Sequence, residues 1–473
     1  MSTQTAPETT FLDGAVVVRD GRVTVVDAAA LASARMDALV RQAVFGGEAE
    51  RELARWVIWE AGQAAGVRPA SIHELYVARG RGQVSGFTVP AINVRMATYD
   101  TARSIFRTAL RLDAGAFIFE IARSEIAYTE QRPAEYVSVL IAAALREGYR
   151  GPLFVQGDHF QVNAKKYAVD SKTEVAAVTQ LATEAVHAGF YNIDVDTSTL
   201  VELNMGSLDE QQRRNYETAV EITRFVRSLE PQGVTISIGG EIGEVGTENS
   251  TPEELHAFMK GFNQVLAETA PGMAGLSKIS VQSGTSHGGV VLADGSIADV
   301  ALDIDTLRRL GEIAREDYGM AGAVQHGAST LPDAAFNNFP KAETAEIHLA
   351  TNFQNMMYDH LPDDLRREIY AWLGENAKDE RKDTDSESQF IYKTRKKAIG
   401  PFKRRLWDLD AETKDRLAVA YDAKFSFLFT QLAVGDTKRH VDRFVKPPKL
   451  HRQMPVDGRP AVEAAPDDAD LSD

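Results

Sequence analysis

The sequence predicts a (β/α)8 barrel with N-terminal and C-terminal helical extensions, and three observations carry that expectation. Eight short apolar, β-branched segments lie between residues 80 and 360. Most are separated by stretches of helical periodicity long enough to cross back over a sheet. No glycine-rich dinucleotide turn follows the first of them, as an open doubly wound sheet would commonly show.

In order, the expected strands are 87–94 (FTVPAINV), 115–122 (GAFIFEIA), 152–158 (PLFVQGD), 191–197 (YNIDVDT), 235–243 (TISIGGEIG), 277–284 (SKISVQSG), 322–328 (GAVQHGA) and 346–352 (EIHLATN). Near-continuous apolar runs of this length suit parallel strands buried on both faces. Helices are expected at 98–112, 172–188, 213–229 and 252–269, the last opened by Thr251-Pro252-Glu253-Glu254, a good N-terminal signal. Only 331–345 leaves little room for a crossover. The expected organisation is an N-terminal helical extension at 1–80, including a helical stretch near 28–65, a barrel at 81–360, a helical extension at 361–454 and a disordered acidic tail at 455–473.

Composition narrows the function. The chain has 473 residues, 44% hydrophobic and 25% charged, which is globular. A net charge of -16 would repel a phosphodiester backbone, so nucleic acid is not an expected partner. There is no cysteine, so a zinc ion would need histidine and carboxylate ligands. The opening MSTQTAPETTFLDG has neither a basic nor an apolar leader region, and no apolar run is long enough for a membrane span. A cytoplasmic protein without membrane contact is expected, and the two helical extensions suggest a homo-oligomer.

Side chains at the carboxyl ends of barrel strands face the mouth where barrel enzymes work. The third strand ends in Asp158-His159, the fourth carries Asp194 and Asp196, and the fifth Glu241. The sixth runs into Gly284-Thr285-Ser286-His287-Gly288, and the seventh into Gln325-His326-Gly327. Three histidines and several carboxylates converging there suit a divalent metal with a position left for substrate. A single strand-end histidine is commonly only hydrogen-bonded structure, whereas three at equivalent ends are harder to read that way. Asp194 and Asp196 share one face of their strand, so one can fill a barrel layer while the other reaches the site. His73, His187, His256, His440 and His451 lie in helices or tails and take no role, and His360 can be local structure.

The motifs GDH at 157–159, IGGEIGEVG at 238–246, SGTSHGG at 283–289, QHGAST at 325–330 and IHLATN at 347–352 resemble, in order and spacing, those of the class II fructose-bisphosphate aldolases. The resemblance covers roughly residues 74–360. It implies His159, His287 and His326 as ligands of the catalytic metal, with Asp196 and Glu241 at a second, exchangeable metal position. Asp158 would handle the proton of the substrate's C4 hydroxyl, and Gly288, Gly327, Ser329 and Thr351 would bind phosphate and the dihydroxyacetone-phosphate portion. Loops after the seventh and eighth strands commonly bind phosphate in barrels, which agrees. Ser329 can equally be read as the N-cap of a helix starting at 329–332.

The implied cofactor is Zn2+ or another divalent metal, with a monovalent cation as a second one to test. The implied partner is a small-molecule sugar phosphate. The implied reaction cleaves fructose 1,6-bisphosphate to dihydroxyacetone phosphate and glyceraldehyde 3-phosphate, a glycolytic lyase step. Alternatives are another ketose phosphate, such as tagatose 1,6-bisphosphate, and a non-catalytic barrel subunit that assists an aldolase. The chain departs from the pattern at Asn249, where the family has a catalytic loop glutamate, so Glu248 is expected to act instead, with Glu244 a further candidate. It departs again at His348, which stands at a substrate-binding asparagine, and at Ala328 within the HGxS motif. The basic run at 393–405 offers Arg395 as a clamp for a second phosphate; the other reading is a solvated helix face.

Overall fold

The computed structural model describes residues 9–243, 248–284, 302–455 and 465. Eight parallel strands close into a barrel: β1 (Val89–Asn93), β2 (Ile118–Ala122), β3 (Gly151–Gln161), β4 (Asn192–Asp196), β5 (Ser237–Glu241), β6 (Lys278–Ser280), β7 (Ala323–Gln325) and β8 (Glu346–Leu349). Each pairs with the next in sequence, and β8 returns to β1 through Glu346↔Val89 to Leu349↔Ile92. All eight coincide with the apolar runs. The expected helices form at Thr98–Arg111, Ser171–Ala188, Leu208–Ser228 and Pro252–Thr269. The last is capped as its sequence suggests: Thr251 accepts from the Glu254 amide, and the Glu254 side chain accepts from the Thr251 amide. Between β7 and β8 there is room only for short turns, Asp333–Ala335 and Asn338–Lys341.

Three features were not legible. Residues 9–25 form a small antiparallel meander, Thr9–Phe11, Val16–Arg19 and Arg22–Val25, ahead of the helices. The 28–65 stretch is not one helix but three, Ala28–Leu31, Arg35–Phe45 and Glu48–Ala65, the last two parted at Gly46-Gly47. A further strand, Val67–Ala70, pairs in parallel with Gly151–Phe154 at the start of β3, whereas β4 joins β3 only from Gln156 onward. It therefore fills the floor of the barrel between these two strands. Asn192 fastens it: its side-chain oxygen accepts from the Ile72 amide at 2.9 Å, and its nitrogen donates to the carbonyls of Ala70 and Val155.

The C-terminal helices pack back on the barrel. Helix Ala411–Gln431 lies on Thr98–Arg111, and Tyr421 donates to the Phe353 carbonyl. Residues 450–452 strap helix Glu48–Ala65, where the indoles of Trp59 and Trp56 donate to the carbonyls of Leu450 and Arg452. The basic run does not form one helix face. It breaks into the turn Arg395–Ala398 and the short helix Lys403–Trp407, and its charges are distributed over Glu380, Glu135 and Glu368. Arg395 is buried against Asn355, with its guanidinium over the rings of Tyr358 and Tyr392. The tail at 456–464 and 466–473 lies outside the described residues. No helix among the described residues is long and apolar enough to cross a membrane.

Candidate metal centre

Alternate residues of a strand face the same side, and that rule builds most of the site. On β4, Asn192, Asp194 and Asp196 all face the barrel interior, at the floor, the middle and the mouth. At the middle level the even-numbered strands contribute Glu120, Asp194, Lys278 and Glu346, a layer of four charged side chains where barrels usually stack aliphatic ones. The Lys278 ammonium donates to Gln156 at 2.8 Å, to Asp194 at 3.0 Å and to Glu346. Gln156 in turn donates to Glu120 and Glu346, and Tyr76 donates to Glu346 from below. Burial raises the pKa of Glu120 to about 8, with the neighbouring Asp158 charge adding to it. Burial also disfavours an ionised Glu346, but Lys278, the His348 ring and Gln156 together outweigh it and hold that group down to about 2. Glycine is required beside this layer: a Cβ on Gly239 would run into the Asp194 carboxylate and come within 2.8 Å of Lys278 Cε.

Above the layer sits the cluster expected from sequence. A regular strand would turn Asp158 and His159 to opposite faces. Here β3 bulges, the step from Gly157 to Phe160 matching the shorter step from Ile193 to Val195 on β4. His159 takes φ +41°, a left-handed conformation uncommon outside glycine. Both side chains consequently reach the mouth. His159 Nδ1 is 2.9 Å from Asp196 Oδ2 and 3.6 Å from Glu241 Oε2, and its Nε2 is 3.8 Å from Asp158 Oδ1. Asp196 also accepts from Gln161 Nε2, the Ser198 amide and Ser198 Oγ. Burial works against its ionised form, but these hydrogen bonds and His159 prevail, so its pKa lies below the ordinary value. Glu241, without such donors among the described residues, is pushed up to about 8 by burial and by the Asp196 charge. His326 stands 4.4 Å from His159, ring centre to ring centre, with Ser280 Oγ 2.9 Å from its Nε2.

Asp158, His159, Asp196, Glu241, His326 and His348 are thus brought together. His159, Glu241 and His326 each present a donor atom, and the three atoms lie within 4.8 Å of one another. A set of imidazoles and carboxylates with no thiolate suits zinc or another divalent ion of borderline character. The residues fit such an ion. His287 and Gly288 lie outside the described residues, as does Glu244. Glu248 is solvent-exposed, and Asn249 is tied to Asp303 Oδ2 at 2.9 Å. Gly327 (φ +69°) opens the turn Ala328–Thr330, and Thr351 begins helix Thr351–His360. Ser329 does not cap a helix: its hydroxyl accepts from the Ala350 amide and joins the ends of β7 and β8. Sequence reading missed Glu120, Gln156, Lys278, Ser280, Glu346 and Tyr76. The available signal was one charge inside each of three apolar runs: Glu120 in GAFIFEIA, Lys278 in SKISV and Glu346 in EIHLA.

The model of the family described as fructose-bisphosphate aldolase class-II matches residues 80–405, most of the chain. The chain belongs to this family. Membership makes it a class II aldolase-like protein of sugar-phosphate chemistry in a metal-dependent family. Comparison of the sequence with curated proteins gives no match. Among solved structures, the fold is similar to that of a probable tagatose 6 phosphate kinase from Sinorhizobium meliloti 1021, at 16% identity and TM-score 0.50, covering 78% of this chain and 95% of that one. A putative fructose-1,6-biphosphate aldolase from Coccidioides immitis is similar at 16% identity and TM-score 0.46, with 77% and 96% covered. The glycerol-complexed fructuronate-tagaturonate epimerase UxaE from Cohnella laeviribosi is similar at 11% identity and TM-score 0.49, with 91% and 94% covered.

Proposed function

We propose that this class II aldolase relative cleaves and forms the C3–C4 bond of a phosphorylated ketose, with fructose 1,6-bisphosphate as the first substrate. The observation that carries the reading is the position of Asp158, an acid–base group within 4 Å of His159 and beside His326, in a mouth whose rim is built from Gly327, Ser329 and Thr351. His159, His326 and Glu241, with His287 by family resemblance and Asp196 behind His159, would hold the divalent ion. When bound, that ion supplies Lewis-acid polarisation of the ketone and stabilises the enediolate charge.

The chain's own groups do the rest. The amino end of helix Thr351–His360 and the Gly327–Ser329 turn receive the phosphate of the dihydroxyacetone-phosphate half. Asp158 accepts the C4 hydroxyl proton as the C3–C4 bond breaks and the C4 carbonyl forms. Glu248, exposed at the rim, returns a proton to C3, and dihydroxyacetone phosphate and glyceraldehyde 3-phosphate leave.

A second reading, cleavage of another ketose phosphate such as tagatose 1,6-bisphosphate, is favoured by His348 at the family's substrate-binding asparagine. One assay addresses both: coupled detection of dihydroxyacetone phosphate from each bisphosphate, with and without chelator. Activity should vanish on chelation and return with zinc. A metal-loaded protein that cleaves neither sugar overturns both substrate readings. A protein that binds no stoichiometric divalent ion points instead to a non-catalytic subunit.

A further inference from the structure

β8 carries a group that the proposed reaction does not use. His348 is buried, with its side chain 5% exposed. Its Nδ1 lies 3.1 Å from Asp158 Oδ1 and 3.0 Å from Glu120 Oε2. Its Nε2 lies 2.9 Å from Glu346 Oε1 and 3.7 Å from Asp194 Oδ2. These oxygens sit off the directions in which ring N–H bonds would point, so neither nitrogen has a hydrogen bond. A buried imidazole in that condition stands among carboxylates at ion-pair distance without an aligned hydrogen bond to either nitrogen.

The ring is also the third in a row. Its centre is 4.0 Å from that of His326, which is 4.4 Å from His159. Asp158, His326 and His348 offer three donor atoms within 4.8 Å of one another, a second set that shares His326 with the His159–Glu241 set. The two sides of the His348 ring are not equivalent. Glu346, on the Nε2 side, already holds the Lys278 ammonium, while the Nδ1 side faces Asp158 and Glu120.

We infer that His348 is a ligand of the bound metal, coordinating through Nδ1 beside His326 while its Nε2–H turns to Glu346 and Asp158 is kept for the substrate proton. This rests on the metal reading above. The arrangement follows the usual construction of histidine metal sites, in which one ring nitrogen binds the ion and the other is fixed by a carboxylate or a similar partner. His159 has Asp196 at Nδ1 in that role, and His326 has Ser280 at Nε2. The departure at position 348 would then add a protein ligand where an asparagine contacts substrate in the family, drawing the ion deeper into the barrel.

The test is a crystal structure of the full chain loaded with zinc, located by its anomalous signal, beside zinc affinity from chelator competition for wild type and for His348→Asn. Zinc should lie about 2.0–2.1 Å from His348 Nδ1. The substitution should weaken zinc binding at least about tenfold, the scale on which even outer partners of metal sites act. Melting of the variant establishes that it is folded, and the wild-type crystal decides the matter if it is not. Zinc held by His159 and His326 with both His348 nitrogens beyond about 3 Å, outside bonding range, overturns this inference alone. So does a folded variant with unchanged affinity. Zinc bound to His348 through Nε2 beside Glu346 overturns it too, and a chain that binds no zinc overturns the proposed function with it.

Discussion

His159 Nδ1 stands 2.9 Å from the Asp196 carboxylate, and this contact joins a backbone bulge on one strand to a side chain on the next. The ring owes its direction to a left-handed residue, and Asp196 holds it there. Asp196→Asn should leave the fold intact while weakening zinc binding roughly 10- to 100-fold, the usual effect of removing an orienting carboxylate. Chelator competition on the folded variant measures it; unchanged affinity would show that His159 is oriented by something else.

The bulge itself depends on Gly157, since a Cβ there would collide with the ring of Phe160. Gly157→Ala should cost about 1–3 kcal/mol through overpacking and lower metal affinity as His159 is displaced. Gly157→Ala combined with Phe160→Leu should recover stability before it recovers zinc binding. Urea denaturation and metal titration of the two variants separate the effects.

Lys278 is the ammonium of the charged layer, donating to Asp194, Glu346 and Gln156. Burial would lower its pKa, but the two carboxylates prevail and raise it, so it stays a cation rather than the neutral amine a Schiff-base mechanism requires. Lys278→Met should cost about 3–5 kcal/mol by leaving buried carboxylates uncompensated. The double variant Lys278→Met/Glu346→Gln should regain a substantial part of the loss in urea unfolding. Full additivity would argue against the pairing.

His73, in the helix below the barrel, is buried, and burial followed by the Arg227 charge lowers its pKa from 6.5 to about 4. The unfolded chain therefore takes up this proton at higher pH than the folded one. Its contribution is complete above about pH 6.5 and declines as pH falls toward 4, by roughly 3 kcal/mol at the limit. His73→Gln should flatten the part of the stability profile between pH 6.5 and 4.5, as read from urea midpoints in matched buffers. Profiles of the two proteins that stay parallel would exclude His73 as the source.

The eight barrel strands were legible because strands covered on both faces write themselves as uninterrupted apolar runs. The strand-end residues were legible for a related reason: Asp158, His159, Asp196, Glu241 and His326 interrupt or follow those runs with side chains that an apolar core would not choose. What escaped lacked local contrast. Val67–Ala70 is four residues with an arginine and a proline, and its place depends on β3, far along the chain. The meander strands at 9–25 are three or four residues each. The layer of Glu120, Lys278 and Glu346 depends on register across β2, β6 and β8, and the bulge on a backbone angle at a residue type that seldom adopts it. His348 was read at the right strand, but its surroundings come from strands up to 228 positions away in sequence, Glu120 among them.

The strand on the barrel floor also sets an order of assembly during synthesis. Val67 emerges well before Gly151, its partner, and the Asn192 side chain that fastens the segment comes later still. Helix Glu48–Ala65 is further strapped by residues 450–452, with Leu450 lying 391 positions beyond its partner Trp59. The first part of the chain must therefore wait, with its apolar faces uncovered, until distant segments arrive. Such long-range closure slows folding and exposes surfaces to association, so production in cells should be limited by how well the nascent amino-terminal segment is kept from aggregating.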